Sequence, residues 1–147
     1  MEAFLRDECS DLVEKNYCRV FVWPDPEDRS RILGYYSLSA CLVARAELNN
    51  RFQRRAPKGI PVPMALIGYM GKTEGATQGL GPLLIQDAAK RVARITDIGI
   101  WGLCLDAENQ KLAEWYEEKI GFTPARAKAL FLYGPLQTFL VPSQDGA

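Results

Sequence analysis

The chain reads as an α/β (α+β) protein in which a mixed central β-sheet is flanked by helices. Two observations predict this. Apolar runs of strand length alternate with segments whose apolar residues recur at helical spacing, in the order helix, two strands, short helix, strand, helix, strand, helix, strand. And one strand, Val62 to Gly71, passes through a glycine-rich turn straight into an amphipathic helix.

The opening helix is predicted over Phe4 to Lys15, with Phe4, Leu5, Cys9, Leu12 and Val13 at helical spacing and Asn16 as its stop. Tyr17 to Trp23 and Ile32 to Ser39 read as two antiparallel strands joined by the turn Pro24 to Ser30. Cys41 to Phe52 continues as strand and then short helix, closed by the proline-rich segment Pro57 to Pro63. Helices follow over Gly81 to Thr96 and Glu108 to Lys119, the latter ended by Gly121, with a buried strand from Gly99 to Asp106 between them. Thr138 to Val141 is the expected last strand, with Ala129 to Tyr133 a further candidate before it and a polar tail from Ser143.

The glycine turn carries chemistry. Glycines let the backbone approach a ligand, and a helix N-terminus offers unpaired N–H groups and a positive dipole end, so a phosphate or diphosphate is the natural guest. A Walker loop is excluded, because neither Gly75 nor Gly79 leads to Gly-Lys-Ser/Thr at the required distance. The dinucleotide fingerprint fits poorly, since Gly79-Leu-Gly81 is followed by Pro82-Leu-Leu84 and the third glycine is missing. A turn that simply joins strand to helix remains the alternative.

At 147 residues the chain is expected to form one domain spanning 1–147. No apolar run approaches the roughly 20 residues that cross a bilayer, and the opening Met1 to Glu8 lacks the pattern of a signal peptide, so a cytoplasmic location without membrane attachment is expected. Cys9, Cys18, Cys41 and Cys104 are scattered and the chain has no histidine, so no metal is expected. The same absence removes Ser-His and Cys-His machinery and leaves acid–base work to Tyr, Glu, Asp, Cys, Lys, backbone or water. Formal charge is zero, yet Arg51, Arg54 and Arg55 cluster in one stretch and Lys90, Arg91 and Arg94 in another. Either cluster suits phosphate contacts or a solvated helix face.

The element order, the glycine turn, and Asp106-Ala-Glu-Asn109 followed by Trp115-Tyr-Glu-Glu-Lys-Ile-Gly-Phe122 together resemble the GNAT superfamily of acyl-CoA N-acyltransferases, over nearly the whole chain. Leu33 to Ser39, Arg54 to Val62 and Trp115 to Pro124 look most like its toxin branch. That resemblance implies acetyl-CoA as cofactor, the free amine of aminoacyl-tRNA as acceptor, a ribbon-helix-helix antitoxin as partner, and a homodimer by analogy. The family's Q/R-x-x-G-x-G/A motif falls on Ala76 to Gly81, where Gly79 and Gly81 match and Ala76 departs. Thr77, Gln78, Gly79, Leu80 and Gly81 are then expected to cradle the diphosphate. Met70, Gly71 and Lys72 take the place of the strand end that pairs with pantetheine, and Asn109 that of an asparagine contacting the same arm or a bound water, a surface helix-start cap being the alternative.

The resemblance places the family's catalytic tyrosine, a proton donor to the departing thiolate, at or beside Tyr116. Four residues separate it from Gly121 where the toxin branch often has three, so an ungapped count back lands on Glu117. A core-packed aromatic is the alternative role. Glu47, Ser37, Ser39 or a water chain are the candidate bases, unranked. Arg51, Arg54, Arg55, Lys90, Arg91 and Arg94 are the candidate tRNA contacts. The same chemistry on a small-molecule or protein amine, and a CoA-binding module without catalysis, remain open.

Overall fold

The computed structural model describes residues 4–73 and 79–140. A π-helical turn, Phe4–Glu8, runs into α1 (Cys9–Glu14), and Asn16 takes the left-handed conformation (φ 69°) that ends it. The hairpin β1 (Arg19–Pro24) and β2 (Ile32–Val43) turns on two aspartates, Asp25 and Asp28, whose carboxylates accept from the N–H groups of Glu27 and Ser30. A 3-10 turn, Arg45–Glu47, and α2 (Asn50–Arg55) follow, the helix capped by Asn49. Then come β3 (Val62–Lys72), α3 (Leu80–Ala93), β4 (Gly102–Asp106), α4 (Gln110–Trp115), a second π-helical turn (Tyr116–Ile120), β5 (Thr123–Pro124), β6 (Phe131–Pro135) and α5 (Leu136–Leu140).

The six strands form one sheet in the order β1-β2-β3-β4-β6-β5. Only β3 and β4 run parallel, which is why a whole helix, α3, connects them. Strand alternation sorts the core. Ala65, Ile67, Leu103, Leu105 and Leu132 meet Leu84, Ile85, Ala88 and Val92 of α3 on one face, while Val62, Met64, Cys104, Phe131 and Tyr133 meet Leu48 and Phe52 on the other. Each fully buried aliphatic side chain contributes about 1.5–3 kcal/mol. One polar device crosses the first face: the Tyr36 hydroxyl donates to Asp87 Oδ2 (2.5 Å) and accepts from Arg91 Nε (2.9 Å), with the Arg91 guanidinium 4.0 Å over the Phe21 ring. This ties α3 to β1 and β2.

The C-terminal end corrects one expectation. Thr138 to Leu140 belongs to helix α5, not to a strand, and the last strand is β6, which overlaps the earlier candidate Ala129 to Tyr133; Val141 lies outside the described residues. Local β-propensity loses to packing here. Leu136, Phe139 and Leu140 recur at helical spacing and all pack on the core, and the Phe139 ring fills the space over Gly134.

Burial raises the phenol pKa of Tyr35, Tyr36, Tyr116 and Tyr133, and the thiol pKa of Cys18 and Cys104. The native groups hold protons that the unfolded chain releases at about 8.5 (Cys) and about 10 (Tyr). Their contribution to stability is therefore complete below those values and lost as pH rises above them. Urea midpoints are expected to stay level up to about pH 8 and to fall progressively toward pH 11; a level profile throughout contradicts this.

Candidate functional site

The two parallel strands separate where the site begins. β3 and β4 pair from Met64↔Gly102 to Ile67↔Leu105, and β3 then runs on through Gly68 to Lys72 beside β2 alone. Thr73 N–H donates to the Leu33 carbonyl (2.9 Å), so antiparallel alternation turns the polar groups of Gly71 toward β2 and those of Met70 and Lys72 into the gap. An extended amide-bearing ligand can pair there as an added strand.

The gap is followed in the chain by the glycine turn. Gly79 is left-handed (φ 90°) and precedes the 14-residue α3 with no side-chain cap, and among the described residues no hydrogen-bond acceptor takes the Leu80 and Gly81 N–H groups, the kind of helix start that suits an anion. Pro82 in the first turn removes a donor that no intrahelical bond would use. Leu80 is buried, anchoring the helix start, while Gly81 lies where a Cβ would come 3.5 Å from the Trp115 ring. Thr77 and Gln78 lie outside the described residues. Gly34 of β2 completes the close packing: a Cβ there would meet Leu80 at 3.0 Å and the Gly71 carbonyl at 3.1 Å.

α4 brings Tyr116 alongside. Asn109 Oδ1 accepts from Leu112 N–H (2.9 Å), which makes this residue the helix cap. At the other end the extra residue before Gly121 is absorbed by a widened turn: Gly121 N–H reaches back five residues to the Tyr116 carbonyl (3.0 Å), with Phe122 N–H on the same oxygen (3.2 Å). Tyr116 is thereby half-buried between Trp115 and Phe122, at ring distances of 5.2 and 5.7 Å, whereas Glu117 is exposed. A π-turn, Tyr116–Ile120, thus occupies the stretch between the tyrosine and Gly121. Burial, helped by the charge of Glu108, raises the Tyr116 pKa and keeps the phenol protonated.

The three side chains named as bases have other partners. Glu47 Oε2 accepts from Ala127 and Lys128 N–H (3.1 Å each), pinning the loop before β6. Ser39 Oγ donates to the Tyr17 carbonyl (3.0 Å), and the buried Ser37 Oγ accepts from Tyr69 N–H (2.9 Å).

The two basic clusters fall on opposite faces of the sheet. Arg51, Arg54 and Arg55 are exposed on α2, Arg51 lying 4.6 Å over the Phe52 ring. Lys90, Arg91 and Arg94 are at the C-terminal end of α3, Arg91 about 16 Å from Leu80 by helical rise, and its Nε is already engaged by Asp87 and Tyr36. A cavity of about 650 Å³, lined by Phe21, Leu38, Ala40, Ile95, Ile98 and Ile100 among others, opens at that same end and shares no residue with the gap or Tyr116. Trp115 and Gly34 are the contributors that the motif reading missed; a tryptophan beside the tyrosine and a glycine inside a strand were their signals. No helix among the described residues is long and apolar enough to cross a membrane.

No protein-family model matches the chain. It is 26% identical to a protein of Sinorhizobium fredii named "Probable toxin TacT", over 94% of this chain and 80% of that one. It is 31% identical to the "tRNA-acetylating toxin" of Mycobacterium tuberculosis, over 58% of this chain and 52% of that one. Among solved structures, AtaT complexed with acetyl-methionyl-tRNAfMet superposes with a TM-score of 0.82 at 24% identity, covering 94% of this chain and 84% of that one. A mutant AtaT toxin bound to the C-terminus of the antitoxin AtaR and acetyl-CoA gives 0.71 at 22% identity, covering 95% of this chain and 82% of that one. The chain therefore has the GNAT fold in the form these toxins take, and the resemblance read from its motifs holds across nearly its whole length.

Proposed function

We propose that this chain is an acetyl-CoA-dependent N-acetyltransferase whose acceptor is the α-amino group of aminoacyl-tRNA. The observation that carries the reading is the gap between β3 and β4, with Met70 and Lys72 backbone groups turned into it, the uncapped α3 following it in the chain and Tyr116 on the neighbouring helix. The acetyl-CoA in one neighbour's complex and the acetylated tRNA in another's support it.

Bound acetyl-CoA supplies a thioester carbonyl to the attacking amine. The residues of this chain do the rest. Met70 and Lys72 pair the pantetheine amides, and N–H groups around Leu80 and Gly81, with Thr77 and Gln78, receive the diphosphate. Asn109 sets the start of the helix that carries Tyr116, and the phenol gives its proton to the sulfur as the C–S bond breaks.

The acceptor follows from what the side chains leave undone. With Glu47, Ser37 and Ser39 engaged in structural hydrogen bonds, the arrangement favours an amine that arrives neutral or loses its proton to water. An α-amine, with a pKa of about 7.7–8.0, is substantially neutral near pH 7.5, whereas a lysine or polyamine near 10.4 is almost wholly protonated. This favours aminoacyl-tRNA over protein lysines and polyamines. Toxicity, restraint by a ribbon-helix-helix antitoxin, a cytoplasmic location, a single domain and a homodimer complete the proposal.

Incubation with labelled acetyl-CoA, total aminoacyl-tRNA and a panel of small amines tests it. Label is expected on the aminoacyl group of the tRNA; label confined to small amines or protein, or none, overturns the reading. Reversing Arg54 and Arg55 to Glu is expected to weaken tRNA acetylation about tenfold and to lower its salt slope by up to about 2, with acetyl-CoA affinity unchanged. Equal tRNA activity in the double variant removes α2 from the acceptor surface.

A further inference from the structure

We infer that Ser37 is a positioning residue for the proposed cofactor cleft: its hydroxyl holds a bulge in β3 that opens the strand away from β4. This rests on the acetyl-CoA reading above. The register fixes the bulge, because Tyr36 faces Met70 and Leu38 faces Ile67, leaving Ser37 opposite both Gly68 and Tyr69. Two residues against one leave an amide of β3 without a backbone carbonyl. Ser37 Oγ accepts it, 2.9 Å from Tyr69 N, and Ser37 is the one fully buried polar side chain among the described residues. The partner position is shaped to match, since a Cβ on Gly68 would come within 3.2 Å of that oxygen.

The bulge has two visible results. It reverses the alternation of the strand. Ile67 packs on the α3 face, Tyr69 turns to the opposite face and stacks on Phe4 at 3.9 Å, and Met70 returns to the α3 face, so the residues beyond Gly68 carry the opposite odd–even phase from those before it. It also begins at the residue directly after the last β3–β4 pair, Ile67↔Leu105. A bulge bends and twists its strand, and here the bend coincides with the separation that exposes the Met70 and Lys72 backbone. The burial of Ser37 on β2 is thereby explained without any contact to ligand.

The test compares wild type, Ser37→Ala and Ser37→Thr in the full chain, by calorimetric titration with acetyl-CoA, steady-state kinetics with aminoacyl-tRNA, and amide exchange at Tyr69. Ser37→Ala is expected to weaken the acetyl-CoA Kd and raise its KM about tenfold, to leave kcat within about threefold, and to speed Tyr69 exchange. Ser37→Thr, which keeps the hydroxyl, is expected to stay near wild type; should its extra methyl prevent folding, Ser37→Ala against wild type decides alone. A lower melting temperature with unchanged Kd, or a loss confined to kcat, overturns the inference. Failure of the wild type itself to bind acetyl-CoA overturns the proposed function and this inference with it, whereas wild-type binding that survives in Ser37→Ala overturns this inference only.

Discussion

Tyr116→Phe is expected to lower the rate of acetyl transfer by at least about tenfold while leaving the melting curve and the acetyl-CoA affinity as in wild type. The variant removes one oxygen and nothing else: the ring keeps its edge contacts with Trp115 and Phe122, and no side-chain hydrogen bond of the hydroxyl within the described residues is lost with it. A thiolate leaving group with a pKa near that of free cysteine, about 8.5, can depart unaided, so the loss is smaller than for an alkoxide and falls on kcat rather than KM. The raised pKa of the phenol gives a second readout. Because the acid form persists above the usual value of about 10, the wild-type rate is expected to rise with pH as the acceptor amine loses its proton and to hold level up to about pH 10. An unchanged rate in Tyr116→Phe, measured with labelled acetyl-CoA, removes Tyr116 from the reaction.

Gly102→Ala is expected to cost about 3 kcal/mol of stability, the largest effect of any single methyl group in the sheet. Gly102 pairs with Met64 on one side and Pro135 on the other, and a Cβ would drive into the Gly134 carbonyl and within 3.1 Å of the Pro135 Cα. These are backbone atoms held by the ladder, so no rotamer change relieves the clash. Nor does β6 have open space at Gly134, since the Phe139 ring closes it and itself packs at a tilt against Phe122, ring centroids 4.6 Å apart. Gly99→Ala, where an added Cβ meets nothing within 4 Å, is the matched control and is expected to be neutral. Urea unfolding of the two variants checks the pair, and equal midpoints would show that the β4–β6 contact yields more easily than its geometry suggests.

Much of the architecture was legible because its signals are local. The apolar spacing of Leu84, Ala88 and Val92 marked α3, the run from Leu103 to Leu105 marked a buried strand, and Asn16 and Gly121 marked helix ends, each now in the left-handed conformation. What stayed hidden depends on residues far apart in the chain. The Phe139 ring sits over Gly134, so packing favours the helical spacing of Leu136, Phe139 and Leu140 over the β-propensity of Thr138 to Leu140, and that long-range contact is what a local reading cannot weigh. At the site, the glycine turn announced itself, whereas the bulge did not: Gly68 reads as an ordinary small residue until Ser37 is seen across from it. Asn109 and Glu47 illustrate a further limit. Both satisfy backbone N–H groups: the cap at Asn109 is a local demand that the sequence already offered as the alternative, whereas the hold of Glu47 on Ala127 and Lys128 joins residues far apart and shows only in the folded chain.

The wide turn at Tyr116 has a consequence for how this helix tolerates change. A residue inserted into an α-helix swings everything after it by about 100°, the angle of a single step. Because the surplus is taken up beyond the phenol, the ring's bearing is inherited from the Asn109 end, and length variation toward Gly121 passes by without redirecting it. The hydroxyl is in effect surveyed from upstream, and the distance to the glycine that follows is free to drift.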